Sequence, residues 1–249
     1  MSTAAKSLGR ILCLHGYVQN GNMFAKKTSA IRKALDKMGF ETVYLTGPVK
    51  IEVSDLSFEV NNEGGREIDN MRSWWPNSES NPEHLTIDMA LDEIIANIDQ
   101  EGPFVGVLGF SQGAALAAIL CQIIHTVHES QQPLKFGLFY SGFRSRLPAY
   151  AKYYERPISV PSIHVIGTLD TVVEEERTMK LYDACEPSKR VLLTHPGGHF
   201  VPNAKDILTK VVAFVQNAMS ESRESESEID GVKVEEKDNW DEFDIIGAR

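Results

Sequence analysis

A chain of 249 residues, 42% hydrophobic and 24% charged, has enough length and apolar content for one α/β domain or two small ones with a sizeable buried core. Its formal net charge of −10 is concentrated at one end: from Ser220 onward eleven acids face four bases, a net −7, so the rest is nearly neutral. With no basic stripe, nucleic-acid binding through phosphates lacks electrostatic support, and the acidic balance disfavours anionic lipid surfaces.

In chain order, Arg10 to Leu14 is a short apolar run ending in His15-Gly16-Tyr17, which predicts a buried strand opening into a glycine turn. Met23 to Met38 carries Phe24, Thr28, Ile31, Leu35 and Met38 on one helical stripe, with Gly39 as the stop. A strand at Glu41 to Leu45 follows. From Val49 to Glu83 the periodicity fails, and so long an irregular insertion reads as a lid or binding loop. Its adjacent Trp74 and Trp75 either line an acyl pocket or pin the loop to the core by burying large apolar area. A helix is predicted over Thr86 to Gln100, then strands at Phe104–Phe110, Phe136–Tyr140, Ser162–Ile166 and Arg190–Thr194. Helices at Gln112–His128, Glu175–Tyr182 and Ala204–Ala218 alternate with them. This alternation predicts a mostly parallel sheet covered by helices on both faces over residues 1–219. Residues 220–249, highly charged and poor in apolar side chains, are expected to stay disordered. Within them, Trp240 to Ile246 mixes acidic and large apolar residues, as segments that dock onto protein partners do.

Gly109-Phe110-Ser111-Gln112-Gly113 lies where an apolar strand gives way to an alanine-rich helix. Gly-x-Ser-x-Gly arises by chance about once in ten chains of this length, so its context decides. A strand-to-helix turn needs minimal side chains on either side of its tip, lifts the serine hydroxyl above the sheet, and aims the first helical N–H groups at developing negative charge. Ser111 is the candidate nucleophile. A serine needs a base, and the base needs a carboxylate to hold its tautomer. Asp170 follows an apolar strand and a glycine turn, whereas Glu174, Glu175, Glu176 and Asp183 lie in a helix-like charged stretch. Of His195 and His199, the two histidines downstream of Asp170, His199 is favoured because Gly197 and Gly198 free its loop to reach over the sheet. The amides of Tyr17 and Gln112 are the candidate oxyanion donors, and His15 reads as a turn-stabilising residue. Trp74, Trp75 and Phe143 are available to line a hydrophobic acyl pocket.

No histidine or cysteine grouping has metal-ligand spacing, so no metal is expected. The scattered Cys13, Cys121 and Cys185 match no disulfide framework, and Met1 to Arg10 lacks an apolar signal-peptide core; cytoplasm is the expected compartment, with the nucleus also open.

Leu14 to Asn20, Gly109 to Ala114, Ser141-Gly142-Phe143, Gly167 to Asp170 and His195 to Pro202 together resemble the fungal family of serine hydrolases, whose animal relative is the ovarian-cancer-associated serine hydrolase. The likeness runs from about Arg10 to Ala218. It implies one α/β-hydrolase domain, a Ser111–Asp170–His199 triad, and cofactor-free cleavage of acyl esters. Thioesterase members of the family leave acyl thioesters open as substrates. A noncatalytic receptor or scaffold of the same fold, docking through its acidic tail, is the alternative of a different class.

Overall fold

The computed structural model describes residues 7–51, 70–76 and 87–238, with side chains as far as residue 224. Strands β1 (Gly9–Leu14), β2 (Phe40–Leu45), β5 (Phe104–Phe110), β6 (Phe136–Tyr140), β7 (Ser162–Gly167) and β8 (Arg190–His195) form one sheet in the order β2-β1-β5-β6-β7-β8. Every pairing in it is parallel. A parallel sheet of this kind is covered on both faces, and its inner strands should be apolar throughout. Every residue of β6 and β7 is buried, while the edge strands β2 and β8 keep partly exposed positions.

Alternate side chains of each strand feed different layers. Leu12, Leu14 and Val107 pack with helices α3 (Asp88–Glu101) and α4 (Gln112–Val127). Ile11, Cys13, Leu108, Phe110, Leu138 and Val165 pack with α1 (Gly21–Lys27), α2 (Ser29–Lys37) and α6 (Lys205–Asp238). Helix α4 is buried from Gln112 through Cys121, and its four alanines let a helix enclosed on all sides approach the strands closely. Full burial of each large aliphatic side chain contributes about 1.5–3 kcal/mol, so the two layers dominate stability.

Four details differ from the sequence pattern. The helix expected over Met23 to Met38 begins at Gly21, where Asn20 Oδ1 accepts the Met23 amide at 2.8 Å, and it breaks in two at Thr28. Thr28 Oγ1 donates to the Phe24 carbonyl at 2.7 Å and lies 2.8 Å from the Tyr44 hydroxyl, a local bond that competes with the continuing helix. The Val49 to Glu83 stretch contains a small antiparallel ladder of β3 (Val49–Lys50) and β4 (Arg72–Ser73); residues 52–69 and 77–86, which include the rest of the lid-like insertion, lie outside the described residues. Finally, α6 runs to Asp238, past the expected stop at Ala218 and into the tail. The apolar stripe ends there, but the Glu- and Lys-rich continuation contains no proline and one glycine, and such residues favour helix. The Trp240 to Ile246 segment lies outside the described residues. Among those described, no helix is long and apolar enough to cross a membrane.

Because β2 and β5 flank β1 on opposite sides, the chain turns away in two directions at the carboxyl ends of β1 and β5. Such a switch point opens a crevice, and His15 to Tyr17 and Ser111 both emerge there.

Candidate active site

Ser111 joins β5 to α4 with φ 53° and ψ −116°, a backbone that side-chain-bearing residues rarely adopt. Its amide donates to the Tyr140 carbonyl at 2.9 Å, and its carbonyl accepts the Ala114 and Ala115 amides, so the turn is fixed from both sides. A Cβ on Gly109 would strike the Gly113 carbonyl and the Ala114 backbone, and one on Gly113 would strike the Leu14 and His15 carbonyls. The spacing of the two glycines therefore reflects helix α4 pressed against its own strand and against β1.

The Asp170 and His199 loops interlock just beyond β7 and β8. Thr168 and Leu169 amides donate to the His195 and Gly197 carbonyls at 2.9 and 3.0 Å. A side chain on Gly167 would collide with the Gly197 and Gly198 carbonyls, and one on Gly197 with the Phe200 ring, so both positions require glycine. His199 Nδ1 lies 2.7 Å from Asp170 Oδ2, and Asp170 Oδ1 accepts the Val172 and Val173 amides at 3.0 and 2.9 Å. Burial pushes the Asp170 carboxyl up. The bonds from His199 and the Val173 amide outweigh it and hold the group below the usual carboxylate range. An ionised Asp170 makes His199 Nδ1 the donor and leaves Nε2 with a free lone pair, as a general base requires.

The His199 ring stands 4.6 Å from that of Phe110, the residue before Ser111, so the pair lies against the elbow. Ser111 Oγ itself makes no side-chain hydrogen bond among the described residues. His195 packs at a tilt against Phe200, ring centres 5.0 Å apart, and makes no bond to Asp170.

Tyr17 lies in the turn after β1 and Gln112 at the first position of α4, on the two sides of the crevice. His15 stabilises that turn: its Nε2 accepts the Gly47 amide at 2.8 Å, and its Nδ1 lies 2.7 Å from the Gly16 carbonyl. Since a carbonyl only accepts, Nδ1 carries the proton and the ring is neutral. Burial pushes its pKa down to about 4, opposed by the Gly16 bond.

The tryptophans and Phe143 are placed as follows. Trp74 is fully buried, its indole Nε1 donating to the His15 carbonyl at 2.8 Å, while Trp75 packs edge-on to Tyr150 at 6.0 Å. The Gln112 side chain clamps both, its Oε1 accepting the Trp74 amide and its Nε2 donating to the Trp75 carbonyl, each at 2.9 Å. Trp74 thus pins β4 to the turn after β1. Phe143 is half-buried beneath the Arg177 guanidinium. Sequence reasoning does not find this use of the Gln112 side chain, because contacts 37 and 38 residues apart leave no local pattern. A cavity of about 280 Å³ adjoins His199 on the other face of the sheet, lined by Gln19, Phe24, Lys27, Phe110, Phe200 and Val201. Among the described residues no group of three or more His, Cys, Asp or Glu is placed to hold a metal ion.

The family model described as "Serine hydrolase (FSH1)" matches residues 2–211. "Family of serine hydrolases 3" of Saccharomyces cerevisiae is 35% identical over 96% of this chain and 97% of its own, and "Esterase OVCA2" of Danio rerio is 37% identical over 78% and 91%. The solved acyl-protein thioesterase 2 of Zea mays superposes with a TM-score of 0.56 at 16% identity, covering 88% of this chain and 97% of that one, which places both in the α/β-hydrolase fold. The match spans the elbow and all six strands of the parallel sheet, and the chain belongs to the FSH1 family of serine hydrolases.

Proposed function

We propose that this serine hydrolase cleaves carboxylic acyl esters of small molecules through Ser111, His199 and Asp170. The observation that carries the assignment is the 2.7 Å pair of His199 with a buried, charge-stabilised Asp170, set against the left-handed elbow of Ser111. Ester bonds are supported by the relative named as an esterase, 37% identical to this chain. His199 Nε2 takes the Ser111 hydroxyl proton as Oγ attacks the acyl carbon. The Tyr17 and Gln112 amides receive the oxyanion, and His199 returns the proton to the departing alcohol. Water, deprotonated by His199, then releases the acid and restores Ser111. The same steps open an acyl thioester, with a thiol leaving instead. Three free, buried cysteines support a reducing compartment, cytoplasm or nucleus.

A fluorophosphonate probe followed by intact mass tests the assignment. Expected is a single adduct on the wild type, none on Ser111→Ala, and labelling slowed by about 10³-fold or more in Asp170→Asn and His199→Ala. Labelling that survives Ser111→Ala, or that keeps its rate in both other variants, would overturn it.

A further inference from the structure

The cavity of about 280 Å³ beside His199 is walled by three parts of the chain. Phe110 comes from the end of β5, and Phe24 of α1 stacks on it with ring centres 6.4 Å apart. The loop after β8 contributes His199, Phe200 and Val201. Phe200 is 50% exposed, yet its ring is held: His195 packs against it, and a Cβ on Gly197 would lie 2.5 Å from its Cζ. Gln19 joins the wall from the turn after β1, following Val18, whose φ of 61° is a left-handed conformation costly for a β-branched residue. That backbone lets the turn that carries Tyr17 also bring Gln19 to the cavity, where the Gln19 carbonyl accepts the Arg72 amide of β4 at 2.8 Å.

Phe24 and Phe110 belong to the layer of α1, α2 and α6. Trp74, Trp75 and Phe143, the last beneath Arg177 of α5 (Glu175–Tyr182), belong to the layer of α3 and α4 across the sheet. In acyl transfer the departing oxygen must reach the histidine, which returns its proton, while the oxyanion faces the backbone amides. A cavity that shares His199 and lies across the sheet from the tryptophans is therefore placed for the group that leaves. A cavity of about 150 Å³ takes up benzene, so this one has room for about one ring and a short tether. Aromatic walls also suit cations, but here Lys27 is the charged side chain that joins His199 in the wall, and no carboxylate lines it among the described residues. We propose that this cavity receives the alcohol part of the ester, and that Lys27 makes it select an uncharged, bulky apolar alcohol over a cationic one. The inference rests on the ester-hydrolase reading above.

Two matched substrate pairs test it. The isomers 3-phenylpropyl butanoate and propyl 4-phenylbutanoate carry the same ring on the alcohol or on the acid, and both release a primary alkanol. In the wild type the first should lead in kcat/KM by about tenfold. Val201→Trp, which fills the cavity from a partly exposed position, and Phe200→Ala, which removes a half-exposed wall, should each bring that ratio down by about fivefold or more. Butanoylcholine and its uncharged isostere 3,3-dimethylbutyl butanoate test the charge. Choline is the better leaving group, so a lead of the neutral ester reports selection by the cavity; that lead should be about threefold, and Lys27→Gln should shrink it. An isomer ratio at or below one, or one that neither cavity variant lowers, would overturn the alcohol subsite, while turnover of the esters still upheld the hydrolase. A lead for butanoylcholine, or a neutral lead that Lys27→Gln leaves untouched, would overturn the selection by charge. Failure of all four esters would instead overturn the hydrolase reading and this inference with it.

Discussion

The backbone of Ser111 is the most informative single-residue observation in the molecule. At φ 53° and ψ −116° it occupies a region open to glycine and costly to other residues, by about 1–3 kcal/mol. Nothing in the packing of β5 or α4 profits from that strain. What it achieves is to raise Oγ clear of the sheet while the helix amides face the same crevice. Replacing Ser111 by glycine should therefore abolish turnover and at the same time stabilise the fold by about 1 kcal/mol, after allowing for the larger entropy glycine loses on folding. In a chain of this size that corresponds to a rise in Tm of about 2–4 °C, readable by calorimetry. A fall in Tm would mean that the conformation is not strained. The pattern is legible in the sequence for a steric reason: only glycines fit at positions 109 and 113, and only a strand before and a helix after give them that task. Asp170 and His199 are legible for a related reason, each following a strand through a turn that contains glycine.

Among the elements, the short β4 strand is held to the crevice by three hydrogen bonds, from the Trp74 amide to Gln112, from Gln112 to the Trp75 carbonyl, and from the Trp74 indole to the His15 carbonyl. The last contact ties a tryptophan to the turn that presents the Tyr17 amide. Trp74→Phe keeps most of the buried area but leaves the His15 carbonyl without its donor, which should cost about 1–3 kcal/mol in urea unfolding. If the anchor also holds the turn that presents the Tyr17 amide, kcat should fall more than KM rises; a loss confined to KM would return Trp74 to the role of pocket wall. None of this can be read from the sequence. Adjacent tryptophans in a polar stretch announce burial but not the partner, since the carbonyl that accepts the indole lies 59 residues away. The break at Thr28 is similarly hidden, because it depends on the Tyr44 hydroxyl of a neighbouring strand.

For the molecule as a whole, buried neutral histidines set the response to acid. His15 is pushed down to about 4 by burial, and His164, enclosed between Phe139 and Tyr182, to about 3 by burial and then by Arg190. Below an ordinary histidine value of 6.5 the unfolded chain protonates at both rings while the folded chain stays neutral. Unfolding thus takes up protons, so stability is full above that value and falls with pH toward 4. At about pH 5 each ring should account for about 2 kcal/mol. Urea unfolding at about pH 7 and about pH 5 measures the sum, and His15→Gln should remove about half of the difference. A pH-independent midpoint across that interval would show that the rings are solvated. Asp170 acts in a lower range: its carboxyl is held down in the folded state, so its contribution persists until the pH drops through that lowered value.

The close approach of Gly113 to the Leu14 and His15 carbonyls also bears on how this enzyme can be altered. Strand β1, its turn and the start of α4 mesh so tightly that a library randomising positions 14–16 and 109–114 would lose most of its members to steric exclusion before any selection for activity. Changes of specificity, by natural drift or by design, are therefore channelled away from this central seam.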